Sequence, residues 1–257
     1  MNYCYKLLVL KIKEQLSFKN DSILWLIVRV LNSIIGILIL IFIFNKTLEI
    51  KGFNREECLL IYSLYTMSVD VFYCFFAWTL WYSNTYILQG KLSLVLKLPV
   101  NPFLYITFDN FALSEVFGII TGLLIFIYSA HTLNLGIITI LSLFLFLSAG
   151  TLGIIGIFLI VSSFSIKYPK IEEAFSPLMD MLDFAQYPIS IYSAFIRFIL
   201  TYIFPVSMIA FYPAAFSLSK YSFNIKFILL PIYSIIIFII GYLLFIKSIK
   251  KYEGTGF

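Results

Sequence analysis

The chain of 257 residues is 61% hydrophobic and only 12% charged, with a mean hydropathy of +1.00. A soluble domain carries about 25% charged residues, so the composition excludes a water-soluble fold. We interpret the net charge of +5 as a signature of membrane topology and not of nucleic-acid binding. Three cysteines and one histidine are too few for a His/Cys metal site or a disulfide framework.

Six apolar segments are long enough to cross a bilayer, which takes about 20 residues per helix. We therefore predict an all-α integral membrane protein with six transmembrane helices. Five of these spans are predicted at about 23–44, 59–81, 109–128, 138–164 and 225–246.

The segment before the last span is harder to divide, because Pro177, Pro188, Pro205 and Pro213 interrupt it and proline ends or kinks helices. We place the fifth span at about Glu173 to Tyr192. Residues 194–218 are then predicted to form a re-entrant hairpin that enters from the outside. The alternative makes 175–192 a surface helix and 194–218 the fifth span.

The distribution of Lys and Arg predicts that both termini are cytoplasmic, because basic residues are enriched on the inner side of a membrane. Eleven of these residues fall on the inner side and six on the outer side. The inner set is Lys6, Lys11, Lys13, Lys19, Lys91, Lys97, Lys167, Lys170, Lys247, Lys250 and Lys251, and the outer set is Lys46, Lys51, Arg55, Arg197, Lys220 and Lys226.

The N-terminal segment, residues 1–20, is predicted to be an amphipathic helix on the inner membrane surface. Its role is either that of a basic anchor or that of a connecting helix that transmits force to the first span. The apolar stripe consists of Tyr5, Leu8, Val9, Ile12 and Leu16.

The cytoplasmic loop at 84–107 is more apolar than a turn in water requires. Leu92, Val95, Leu96 and Pro99 fall on one side of a short predicted helix, which Pro99 and Pro102 then stop. Such a helix needs a cover, either lipid headgroups or a partner protein with a complementary groove.

This order of features resembles the membrane subunit of ABC-2 type ATP-binding-cassette exporters, in particular the small six-span permeases of the bacterial plasma membrane. The resemblance covers essentially the whole chain, 1–257, as a single transmembrane domain. It is carried by Ile87-x-x-Gly90-x-Leu92-x-x-x-Leu96-x-x-Pro99-x-x-Pro102, Tyr187-Pro188-Ile189-x-Ile191-Tyr192, Ile203-x-Pro205-Val206 and Tyr212-Pro213-Ala214.

The resemblance implies that the 84–107 loop contains the coupling helix that docks on an ATPase subunit. It also implies two copies of that ATPase, which would bind ATP and Mg, and a second permease, identical or homologous. This chain has no GxxxxGK[ST] loop, so we expect it to be non-catalytic and to bind no cofactor itself. The residues implied in coupling are Leu88, Gly90, Leu92, Val95, Leu96, Pro99 and Pro102.

Five carboxylates lie within or beside the predicted spans, where a charge is costly unless it is paired or faces water. We expect Asp109 and Glu115 to meet headgroups, Arg29 or the N-terminal helix. Asp180 and Asp183 either line a translocation path or pair with the second permease. Asp70 and the aromatic residue Phe76 are further candidates for the path, although membrane-boundary aromatics are commoner.

Span four carries a face of small residues, Gly150, Gly153 and Gly156, which favours close helix packing. For function, the leading hypothesis is the permease of an ATP-driven exporter of a hydrophobic or amphipathic substrate such as a drug, lipid or peptide. The alternative is an ion- or proton-coupled secondary transporter that acts without an ATPase. A membrane-embedded enzyme is disfavoured, because no catalytic residue set is present.

Overall fold

The structure is a computed structural model that describes residues 2–77, 86–87, 90–165, 168, 173–220 and 226–251. The described residues form helices and connecting turns, with one isolated β-bridge between Ile50 and Phe53. In chain order the α-helices are α1 (Asn2–Ser17), α2 (Lys19–Phe44), α3 (Arg55–Phe72), α4 (Lys91–Leu96), α5 (Pro102–Asp109), α6 (Leu113–Thr132), α7 (Ile137–Ser165), α8 (Phe175–Leu182), α9 (Ala194–Phe198), α10 (Phe211–Ser217) and α11 (Lys226–Lys250).

Five helical segments of the described chain are long and apolar enough to cross a membrane, and they confirm five of the predicted spans. They are Asp21–Phe44, Arg55–Ala77, Leu113–Thr132, Ile137–Phe164 and Ile228–Lys250. The second of them includes a π-helical turn, Tyr73–Ala77, that continues α3. The chain is therefore a multi-pass membrane protein.

The preferred fifth span at 173–192 is wrong. The α-helix in that stretch, α8, has eight residues and is followed by 3₁₀ turns at Asp183–Gln186 and Ile189–Ile191. Eight residues rise about 12 Å, which falls far short of a bilayer core of about 30 Å.

Next along the chain is a bent helical pair, Ala194–Ile203 and Val206–Ser217, whose two arms meet at 77°. Pro205 lies at the break, as expected for a residue without a backbone N–H. A pair of this kind is either one broken span, as in the alternative division, or a re-entrant hairpin. The re-entrant hairpin stays a prediction.

The second span, α3, forms the centre of the molecule, since 78% of its most apolar window is buried within the chain, against 11% for α2. The bent pair packs into the same core, where Val206, Ile209 and Ala214 are fully buried. The least buried spans are instead α2, α6 and α11, with 11%, 28% and 28% of their most apolar windows buried within the chain.

Helices α7 and α11 pack closely through glycine. A side chain at Gly153 would collide with Ser234, one at Gly156 with the backbone of Phe238, and one at Gly241 with Gly156. Gly150 in turn lies against the backbone of the bent pair at Met208. The small-residue face predicted for span four is thus confirmed as a packing face.

Candidate functional site

A cluster of three charges lies within the membrane-spanning helices. A guanidinium nitrogen of Arg29 on α2, Nη1, lies 3.6 Å from Oδ1 of Asp70 on α3, and Nη2 contacts Glu115 on α6. Both carboxylates are buried, with 6% and 4% of their surface exposed. Because an unpaired buried charge is strongly unfavourable, this cluster ties three spans together at one level.

Small and aromatic neighbours shape the cluster. The Arg29 guanidinium carbon lies 5.2 Å from the centre of the Tyr73 ring, a cation–π distance. Gly118 packs against the Asp70 carboxylate so closely that a Cβ there would overlap it. The backbone N–H of Ala112 donates to the Cys74 carbonyl at 2.9 Å and so satisfies an acceptor within the π turn.

One turn further along α2, neutral polar contacts continue the same interface. The hydroxyls of Ser33 and Thr121 lie 3.1 Å apart, and the Tyr62 hydroxyl donates to the Ser33 carbonyl at 3.3 Å. Gly36 leaves the space that the Tyr62 hydroxyl fills. Helix α2 is therefore held to the core by polar groups and glycine, while most of its apolar side chains face outward.

The N-terminal helix is fastened to the junction between α5 and α6. Lys11 lies 3.3 Å from Asp109 and 3.0 Å from Glu14. Burial lowers the pKa of Lys11, but these two acidic partners raise it more, so that its net shift is upward. The backbone N–H of Leu113 donates to Oε1 of Gln15 at 2.8 Å.

Two expectations about carboxylates are confirmed here. Glu115 pairs with Arg29, and Asp109 pairs with the N-terminal helix through Lys11. Asp109 also accepts a hydrogen bond from Tyr86, whose pKa is raised by burial and by that hydrogen bond. The flat orientation of α1 on the membrane surface stays a prediction.

The elbow, which we define as residues 90–102, contains α4 and the turn before α5. Gly90 adopts φ +67° at the N-cap of α4, in the left-handed region that favours glycine.

Leu92 and Val95 are 2% and 3% exposed and pack into this chain's own core. Leu94 and Leu96, at 63% and 37%, face outward together with Pro99. A partner on this helix would therefore contact Leu94, Leu96 and Pro99 and not the predicted Leu92 and Val95.

The end of the elbow is joined to two spans. Asn101 caps α5 by accepting from the Phe103 N–H at 2.9 Å, and its side-chain amide donates to the Tyr242 hydroxyl on α11 at 2.8 Å. Pro102 occupies the first turn of α5, where its missing N–H costs nothing. The Phe103 ring stacks on Phe76 at 6.1 Å and meets the Tyr242 ring edge-on at 5.4 Å. Leu88 lies outside the described residues.

The four candidate path residues make different contacts. Asp183 accepts a hydrogen bond from Tyr65 of α3 at 2.6 Å, and Asp180 is exposed at the end of α8. Asp70 belongs to the charged cluster, and Phe76 packs against α5.

Sequence reasoning missed several links that involve side chains far apart in the chain. Glu57 is one example, since its carboxylate caps α3 together with Asn54 and also lies 2.9 Å from Lys220 beyond the bent pair. The Asn54-x-x-Glu57 spacing is a recognisable capping box, whereas nothing in the sequence indicates the Lys220 partner. The Gln15 contact had no signal either.

The fold and these contacts define a multi-pass helical membrane protein whose buried charges Arg29, Asp70 and Glu115 bind one another between spans. The ABC-2 family transporter proteins match residues 30–256, and the chain belongs to that family. Membership identifies a membrane transport subunit of the ABC permease type and implies association with an ABC ATPase. None of the curated proteins compared with the chain matches it.

Proposed function

We propose that this chain is the membrane-spanning permease of an ATP-driven exporter. It moves a hydrophobic or amphipathic substrate, such as a drug, lipid or peptide, out of the cell. A separate ATPase, present in two copies, carries ATP and Mg. The single observation that carries the proposal is the two-faced elbow, whose inner side belongs to the chain's own core and whose outer side exposes leucine.

The outer side of the elbow has the character of a docking surface. An isolated exposed leucine is ordinary, but Leu94, Leu96 and Pro99 are adjacent, apolar and flanked by the exposed Lys91 and Lys97. Apolar residues with a charged rim are typical of a protein contact. The ATPase therefore binds Leu94, Leu96 and Pro99.

Movement of the elbow reaches the spans through buried partners. Leu92 and Val95 anchor α4 in the core, so a displacement of the outer side carries the inner side with it. Phe103 then contacts Phe76 at the end of the second span and Tyr242 on the last. A partner docked on the elbow therefore moves the second and the last span together. Such a shared movement is required if ATP binding is to switch the permease between inward-open and outward-open states.

The complete transporter contains a second permease, identical or homologous to this one, and lies in the bacterial plasma membrane with both termini in the cytoplasm. The Lys and Arg distribution supports this orientation. The exposed acidic residues Asp180 and Asp183 are the proposed polar contacts of the substrate path or of the second permease.

Replacing Leu94 by Asp tests the docking surface without opening a cavity, because the side chain is exposed. The matched control is Leu48→Asp, a leucine that is 95% exposed in the loop between α2 and α3. We expect Leu94→Asp to abolish co-purification of the ATPase and substrate-stimulated ATP hydrolysis, with normal membrane insertion, and Leu48→Asp to preserve both.

Full ATPase recovery and full stimulation in the Leu94→Asp complex would contradict the docking surface. Transport that survives ATP depletion but is lost with an ionophore would instead establish the ion-coupled alternative. In that alternative, Asp180 or Asp183 would carry the coupling ion.

A further inference from the structure

A cavity of about 790 Å³ opens at the bend between α1 and α2, beside the charged cluster. Its wall is formed by the end of α1, the first four turns of α2, Tyr73, residues 110–115 and Phe117. The volume falls within the range of about 300–1,000 Å³ that is typical of small-molecule sites. No elbow residue belongs to this wall, so the proposed docking surface does not account for the cavity.

The charged groups at this cavity favour a cation. Asp21, Arg29 and Glu115 are the charged members of its described wall. The Arg29 guanidinium is already bound by Glu115 and by Asp70, so it offers little to an anionic headgroup. Counting Asp70 through its ion pair, three carboxylates are set against one guanidinium.

Aromatic rings supply the second element of the site. Phe18, Trp25, Phe111 and Phe117 line the same cavity, and the face of an aromatic ring attracts an ammonium group. Phe18 and Trp25 are 62% and 55% exposed, so their rings are not fully used by the chain's own core. The neighbouring apolar wall suits an alkyl or aryl tail.

We infer that this bend cavity binds an amphiphile with an ammonium headgroup, which contacts Asp21 and Trp25 beside the Arg29–Glu115 pair while its apolar tail extends into the adjoining leaflet. The inference names a substrate class and rests on the proposed function for the transport that follows binding. A lipid with an amine headgroup and a lipophilic cationic drug share this chemistry.

Binding is measured on the purified full-length chain in a neutral maltoside detergent, without any ATPase. The probe is radiolabelled hexadecyltrimethylammonium, and hexadecyl sulfate with the same tail is the anionic comparison. We expect saturable binding of the cation and an affinity at least about 10-fold lower for the sulfate, because the wall carries excess negative charge.

Two exposed positions are changed so that folding is retained. Asp21→Asn and Trp25→Ala are each expected to weaken cation binding by about 3- to 10-fold, with Trp25→Phe recovering most of the affinity. Glu49→Gln removes an exposed carboxylate in the loop after α2 and should leave binding unchanged. Unaltered affinity in both Asp21→Asn and Trp25→Ala, or equal affinity for the sulfate, would overturn the inference.

Competition then separates the two sources of the headgroup. Displacement by lysophosphatidylethanolamine and not by lysophosphatidylglycerol indicates a lipid amine, whereas displacement only by tetraphenylphosphonium indicates a lipophilic cation. Because the binding assay contains no ATPase, a lack of cation binding would not affect the conclusion drawn from Leu94→Asp. A failure of the docking test equally leaves the binding result standing.

Discussion

Gln15 and Leu113, 98 residues apart, are joined by a hydrogen bond of 2.8 Å from the Leu113 N–H to the Gln15 side-chain carbonyl. The amide nitrogen of the same Gln15 side chain donates to the Phe111 carbonyl. One side chain therefore satisfies two backbone groups at the break between α5 and α6. It fixes α1 to the point where α5 ends and the third span, α6, begins.

Gln15→Ala should destabilise this junction, because both backbone groups lose their partner at once. We expect a loss of about 1–3 kcal/mol, seen as a lower midpoint in thermal unfolding of the purified chain. Lys13→Ala, an exposed position on the same helix, is the control. A midpoint for Gln15→Ala equal to that of the control would show that α1 is not fastened here.

Arg29→Met should be far more damaging. It leaves Asp70 and Glu115 as neighbouring buried carboxylates without a cation, a situation that costs about 3–5 kcal/mol. The expected result is a strong loss of monodisperse protein in fluorescence-detected size-exclusion chromatography. Arg197→Met, which removes an exposed arginine from α9, should behave like the parent protein.

The Arg29 prediction has a second arm that separates charge from packing. Adding Glu115→Gln and Asp70→Asn to Arg29→Met removes the uncompensated charges, so the triple variant should recover much of the monodisperse fraction. If the triple variant is as poor as Arg29→Met, the ion cluster is not the cause of the defect.

Gly156→Ala should separate α7 from α11. Its new methyl group would meet the backbone around Phe238, which cannot give way as a flexible side chain does. Overpacking of this kind costs about 1–3 kcal/mol, and thermal unfolding measures it. Gly136→Ala is the matched control, because its Cβ would have no atom within 4 Å. Equal midpoints for the two variants would contradict the close helix contact.

The sequence predicted those features that depend on local composition or on a small number of possible partners. Five spans follow from apolar length, and the glycine face of α7 follows from spacing. The Arg29–Glu115 pair was predictable because buried charges need partners and cations within the spans are few. Gln15 could not be recognised, since an uncharged amide that binds backbone groups about 100 residues away leaves no pattern.

Two differences between the predictions and the structure have clear physical reasons. The prediction for 173–192 gave too little weight to Glu173, Asp180 and Asp183, and the chain turns after α8 through 3₁₀ geometry that hydropathy does not encode. At the elbow, spacing placed Leu92, Val95, Leu96 and Pro99 on one face, whereas the structure buries the first two and exposes the last two. Spacing could not tell whether that face meets a partner or the chain's own core, which depends on tertiary packing.

The contact between Asn101 and Tyr242 provides a direct test of whether the elbow drives the last span. Asn101→Ser, which keeps an N-cap acceptor for the Phe103 N–H, and Tyr242→Phe each remove the hydrogen bond of 2.8 Å, while the rings at 103 and 242 keep their contact. The hydrogen bond is exposed, so each change should cost at most about 1 kcal/mol of stability. If it transmits motion, each change lowers transport per ATP hydrolysed in reconstituted vesicles without loss of the ATPase.

A double-mutant cycle identifies that transmission. The two changes together should reduce the transport ratio no further than either one alone, because both remove the same bond. Thr132→Ala is the control, because it removes an exposed hydroxyl at the C-terminal end of α6, far along the chain from the elbow. Additive losses in the double variant would mean that Asn101 and Tyr242 act separately, and the elbow would then have to reach α11 through the Phe103 ring.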